Sequence, residues 1–156
     1  MRLGTLSELA PSIAAYREAY QAAGHPDQGQ VFLRVPVYVA ETDAQARSEA
    51  EESIMSFYRF LGSMLEKSAS SAGVRAIEQR AERGQRLQTI TYEDALRDKV
   101  IVGTPELVAE RINQLRAELG LNGILAELNC GSLIAHNKVM KSLELLCDRV
   151  MPQFRQ

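Results

Sequence analysis

Tryptophan is absent, cysteine and histidine occur twice each, and aromatic residues make up only 6% of the 156-residue chain. Cys130 and Cys147 offer neither the number nor the spacing of a disulfide framework or a zinc site. His25 and His136 stand apart from any carboxylate or thiol at ligand spacing, so no metal centre is expected. No apolar stretch approaches the roughly 20 residues that span a bilayer. The start "MRLGTLSELAPS" lacks the apolar heart of a secretory signal, which points to a cytoplasmic protein. A net charge of -2 and a pI near 5.8 create no field that would gather nucleic acid or an anionic membrane. Glycine-rich phosphate loops of dinucleotide or P-loop spacing are missing too, and no Ser/His/Asp arrangement can be assembled.

What is present is a regular succession of amphipathic elements in a chain of one-domain size with 46% hydrophobic residues. Four segments repeat the apolar spacing i, i+4, i+7, i+11 of a helix with one buried face: Leu9/Ile13/Tyr16/Tyr20, Ala50/Ile54/Phe57/Leu61, Val108/Ile112/Leu115/Leu119 and Val139/Leu143/Leu146/Val150. Thr5 with Glu8, and Thr42 with Gln45, have capping-box spacing. Thr104-Pro105-Glu106 places an N-cap before a proline whose missing N–H is harmless in a first turn. Gly24, Gly62 and Gly120 follow three of the stripes as expected C-caps, and Pro152 follows the fourth.

Two segments read as strands. "VFLRVPVYVA", Val31 to Ala40, is dense in β-branched residues, and "NGILAELN", Asn122 to Asn129, is opened by Asn-Gly and closed by Gly131. "KVIVG" before Thr104 is a candidate for a very short third strand. Strands alternating with helices argue for parallel βα units. Residues 63–99 interrupt the pattern with a serine-rich loop signature, a charged stretch of sparse apolar stripe, and a short helix opened by Thr91; they read as a surface excursion.

Two strands do not make a stable sheet in water, and a parallel sheet needs both faces covered. Arg34 and Glu127 lie inside the strands, where they either pair across adjacent strands or face solvent. Pro36 removes a ladder donor and suggests an edge or a bulge. The unit reads as part of something larger.

"VYVAETDAQARSEAEESI", "LAPSIAAYREAYQAAGHP" and above all the run from Ile101 to Phe154 resemble the luciferase-like flavin-dependent monooxygenases. The most specific markers are Gly103-Thr104-Pro105-Glu106, the strand exit Asn129-Cys130-Gly131, and Val150-Met151-Pro152. The resemblance implies a (β/α)8 barrel using reduced FMN, or in some branches a deazaflavin, with molecular oxygen on an organic substrate. Such a barrel takes about 250 residues. By order of elements, residues 1–156 then form a single partial domain, the C-terminal fragment of a TIM-type α/β barrel, helix-rich with two or three strands and a variable insertion at 63–99. The resemblance implies that this chain alone is catalytically incomplete, because the upstream strands that carry most flavin contacts have no counterpart. Completion by a complementary N-terminal half-barrel is expected; the alternative is a non-catalytic shortened relative that associates with copies of itself.

Barrels place active-site residues at the carboxyl ends of their strands. The resemblance therefore directs attention to Glu41 and Thr42 after one strand, and to Asn129, Cys130, Gly131 and Ser132 after the other, with Asn129, Gly131 and Ser132 as the expected cofactor contacts. Thr42 serves equally well as an N-cap, Glu41 as a solvated carboxylate, Asn129 as a strand terminator and Gly131 as a turn glycine. Cys130 has no base or cation near it in sequence, which argues against a nucleophile. His136 could reach the same mouth. Arg75, Arg80, Arg83 and Arg86 would bind an anion if the excursion folded over it, or else simply line a solvated helix face.

Overall fold

The computed structural model describes residues 9–69 and 74–154, without the side chains of 69 and 74–79. The capping box expected at Thr5 and Glu8 and the loop expected around Ser70 and Ser71 fall outside the described residues. In chain order the elements are α1 (Ala10–Ala22), β1 (Phe32–Val39), α2 (Asp43–Ala69), α3 (Val74–Gln88), α4 (Tyr92–Asp98), β2 (Ile101–Gly103), α5 (Pro105–Leu119), β3 (Gly123–Glu127) and α6 (His136–Leu145). All three strands are parallel, in the order β2-β1-β3, so both connections between them are helical crossovers. The short third strand expected from "KVIVG" is β2.

Alternation along β1 divides the core in two. Val35, Val37 and Val39 point to one face and bury against Val108, Leu115 and Leu119 of α5 and against Leu145, Leu146 and Val150 near the C-terminus. Tyr38 and Ala40 point to the other, under Ala46, Ala50, Ile54 and Tyr58 of α2, with Leu87 of α3 and Ala95 of α4. Helices thus cover both faces of the carboxyl half of β1. At its amino half they do not. Phe32 is 53% exposed and its parallel neighbour on β3 is Gly123; Leu125, beside Arg34 in register, is 57% exposed.

The caps follow the local chemistry. Thr104 accepts from the Leu107 N–H and Gly120 closes α5 with φ +63, a left-handed conformation that glycine adopts without a Cβ penalty. Arg17 of α1 donates to the Gly120 carbonyl, adding a cation at the negative end of α5. Thr91 and Asp94 form a full capping box at α4. At α2 only half of the expected box is made: Thr42 accepts from the Gln45 N–H at 3.2 Å, while the Gln45 amide turns to Glu49.

Several expectations are corrected by packing. Gly62 does not end a helix, and the serine-rich stretch is helical as far as Ala69. A Cβ at Gly62 would meet the Gly84 carbonyl at 2.8 Å, and one at Gly84 would meet the Gly62 carbonyl at 2.9 Å. The two glycines let α2 and α3 cross backbone to backbone, so contact between helices prevails over the intrinsic cost of a mid-helix glycine, about 1 kcal/mol. The stripe expected along α1 is buried only at its start: Leu9 lies in the core and Ile13 leans on it, while no residue of Ala10–Ala22 is fully buried. Pro152 does not stop the last helix, which loosens into a π-helical turn at Leu146–Val150 and a 3-10 turn at Met151–Phe154. The strand expected as far as Asn129 ends at Glu127.

Pro36 proves to lie on the middle strand. Pairing with β3 runs through Pro36, and pairing with β2 begins only at Val37, so among the described residues the segment Phe32–Pro36 has no strand partner on the β2 side. The missing donor falls where the ladder changes sides. Arg34 and Glu127 pair across the strands at 2.5 Å, Arg34 58% exposed and Glu127 19%.

Candidate functional site at the carboxyl ends of the strands

The turn that leaves β3 is folded on itself and onto α2. Asn129 bonds within the turn at both ends of its amide: Oδ1 accepts from the Ile134 N–H at 3.1 Å and Nδ2 donates to the Ile134 carbonyl at 3.1 Å. Ser53, in the middle of α2 and fully buried, donates to the Cys130 carbonyl at 2.6 Å and accepts from the Leu133 N–H at 3.1 Å. Gly131 has φ +87, and a Cβ there would lie 2.0 Å from the Ser53 carbonyl oxygen. Ser132 is exposed, with φ +60.

A second polar group lies between the starts of α2 and α6. Tyr38 donates to Glu49 at 2.7 Å, Lys138 pairs with Glu49 at 3.0 Å, and Gln45 donates to it at 3.3 Å. Burial pushes the Glu49 carboxyl up, but the bonds from Tyr38, Lys138 and Gln45 outweigh it and hold it below the usual carboxylate range. Burial and that same carboxylate push the Tyr38 hydroxyl well above its ordinary value. The group borders a cavity of about 290 Å³ that Glu41, Asn137 and Lys141 also line. Next to it Arg149 bridges Glu41 at 3.0 Å and Glu106 at 2.8 Å, tying the exit of β1 to α5 and the C-terminal turn.

The expected site residues divide accordingly. Asn129, Cys130, Gly131 and Ser132 share one turn, whereas Glu41 is ion-paired with Arg149 and Thr42 caps α2. Burial, with Glu127 nearby, pushes the Cys130 thiol up to about 12, which leaves it inert as a nucleophile. His136 is the exposed first residue of α6. Of the arginines on α3, Arg86 pairs with Glu82, Arg80 and Arg83 are exposed, and the Arg75 side chain lies outside the described residues. At Asn129 each end of the amide makes a bond to Ile134, and at Gly131 the position a Cβ would take is filled by α2 backbone. Of the three expected cofactor contacts, only Ser132 is exposed.

Sequence reasoning missed Ser53, Glu49 and Lys138. Ser53 carried one signal, a small polar residue inside an otherwise amphipathic helix, for which burial demands a partner. Glu49 and Lys138 lie 89 positions apart on surfaces that read as ordinary charged helix faces.

Comparison with known proteins decides the family, since the model for luciferase-like monooxygenases matches residues 2–123. The chain belongs to the luciferase-like monooxygenase family. No curated protein sequence matches it significantly. Among solved structures it is similar to the oxygenating constituent of 3,6-diketocamphane monooxygenase from the CAM plasmid of Pseudomonas putida, in complex with FMN. Identity is 24%, with a TM-score of 0.64 over 96% of this chain and 40% of that one. It is also similar to the coenzyme F420-dependent tetrahydromethanopterin reductase from Methanopyrus kandleri, at 19% identity and a TM-score of 0.62, over 97% of this chain and 43% of that one. The monooxygenase RslO1 from Streptomyces bottropensis matches at 18% identity and a TM-score of 0.62, over 97% and 40%. The helix-rich parallel sheet is therefore a fragment of the luciferase-like barrel fold, and the chain spans about two-fifths of the length of these relatives.

Proposed function

We propose that this luciferase-like chain is the C-terminal portion of a flavin-dependent monooxygenase acting on an organic substrate, with reduced FMN as cofactor and a deazaflavin as the other candidate. The family match over residues 2–123 carries the reading. Coverage of about two-fifths of the solved relatives supports completion by an N-terminal half-barrel, whose strands would extend the free edges of β1 and β3. When bound, the flavin supplies the electrons that activate dioxygen. Of the expected contacts in this chain Ser132 remains, so the flavin is held chiefly by the complementary part. Residues 63–99 serve as a variable insertion within the single domain, and the compartment is the cytoplasm.

The test is co-expression of this chain with an N-terminal half-barrel of the family. A complex that co-purifies and retains flavin absorbance is expected; separate elution with no flavin in either fraction refutes the reading. A second reading rests on one observation, the exposure of Phe32 and Leu125 beside unpaired strand edges, which a homo-oligomer would cover. Sedimentation of the isolated chain as a monomer at micromolar concentration excludes it.

A further inference from the structure

We infer that the turn leaving β3 is a clasp that seats α2 across the sheet, and that its Asn129 and Gly131 make no contact with flavin. The inference takes from the proposed function only the identity of the ligand it excludes. Three independent observations meet at Ser53. Its hydroxyl is buried and spends its one proton on the Cys130 carbonyl while receiving the Leu133 N–H, so both of its roles are taken by the turn. Asn129 closes the same turn from within by a two-ended amide bond to Ile134. Gly131 then fits against the Ser53 backbone carbonyl with no room for even one carbon, and its positive φ is one that side chains rarely adopt.

These contacts join positions 76 to 80 residues apart, linking a helix that follows β1 to the exit of β3. A ligand approaching Gly131 from the side a Cβ would take would have to expel α2. A ligand taking over the Asn129 bonds to Ile134 would have to undo the turn. The small and amide residues that make this strand exit look like a cofactor site are explained by helix seating, and α2 takes its position over Tyr38 and Ala40 from a loop that lies far ahead of it in the chain.

The chain as it stands provides the test, through amide hydrogen exchange and thermal unfolding of Asn129→Ala, Ser53→Ala and Gly131→Ala. Exchange at Leu133 and Ile134 is expected to rise about tenfold in the first two variants. Gly131→Ala is expected to lower Tm by about 10 °C; should it fail to fold at all, the two milder variants still decide. Unchanged exchange and Tm in Asn129→Ala overturns the clasp. In a flavin-binding complex with the N-terminal half-barrel, Asn129→Ala should leave FMN affinity within about twofold. Loss of affinity at unchanged exchange overturns the second half of the inference. If no such complex forms, the proposed function fails, while the exchange result stands by itself.

Discussion

The two halves of β1 live in different surroundings. From Val35 to Val39 every residue is buried, with α5 and α6 on one face and α2 on the other, and β2 and β3 divide the ladder between them. From Phe32 to Arg34 the same strand pairs only with β3 and turns an aromatic ring and a guanidinium toward solvent. A parallel sheet is stable when both faces are covered. The carboxyl half meets that condition inside this chain; the amino half does not, and under the proposed function it is where a complementary half-barrel would attach.

Leu115, fully buried against the closed half, offers the strongest way to probe the contrast. Leu115→Ala should cost about 3 kcal/mol in denaturant unfolding. An effect below about 1 kcal/mol would mean that the closed half is not packed as described. Next comes the α2–α3 crossing that roofs the same half. Gly62→Ala forces a carbon against the Gly84 carbonyl and should cost about 2 kcal/mol, with α3 amides losing exchange protection first.

Glu49 sharpens the comparison through pH. Its folded pKa lies below the ordinary 4.5, so its stabilisation is present above that value and drains away as pH falls through the folded pKa. Glu49→Gln should cost about 1 kcal/mol at neutral pH, and the difference from the parent should narrow under acid below the ordinary value. For Tyr38 the sign is opposite. Its folded pKa is raised, so its contribution is complete below 10.0 and is lost as pH rises toward the raised value. A parent chain with no alkaline loss that Tyr38→Phe abolishes would contradict the buried hydroxyl–carboxylate bond.

The smallest effect belongs to the open half. Leu125→Ala should change the stability of the isolated chain by no more than about 0.5 kcal/mol. In a complex with the N-terminal half-barrel the same substitution should become destabilising by about 1 to 2 kcal/mol, because the side chain would then be buried. Equal effects in both states would remove the reason for treating this face as unfinished.

Much of this architecture can be read without coordinates where the signal is local. The β-branched density of β1, Thr104-Pro105 at α5, Gly120 after it and Thr91 at α4 all act within a turn or a single strand, and each does what its chemistry suggests. Gly62 misleads because its local meaning, a helix end, is overridden by a partner 22 residues away that also lacks a Cβ. The site was the least legible part. Asn129, Gly131 and Ser132 were rightly located at a strand exit, yet Asn129 is bonded to Ile134 within the turn and Gly131 is met by Ser53, whose role no spacing announces.

The alternation of helix and strand, the caps at Thr104, Gly120 and Thr91 and the family were legible in the sequence alone, because propensity, capping and hydrophobic period depend on neighbours within a few residues. Which strand lies in the middle, which face of it stays open, and whether a glycine ends a helix or admits another were decided only by tertiary structure. Those outcomes depend on backbones meeting across long separations, where the deciding quantity is whether a carbon atom has room.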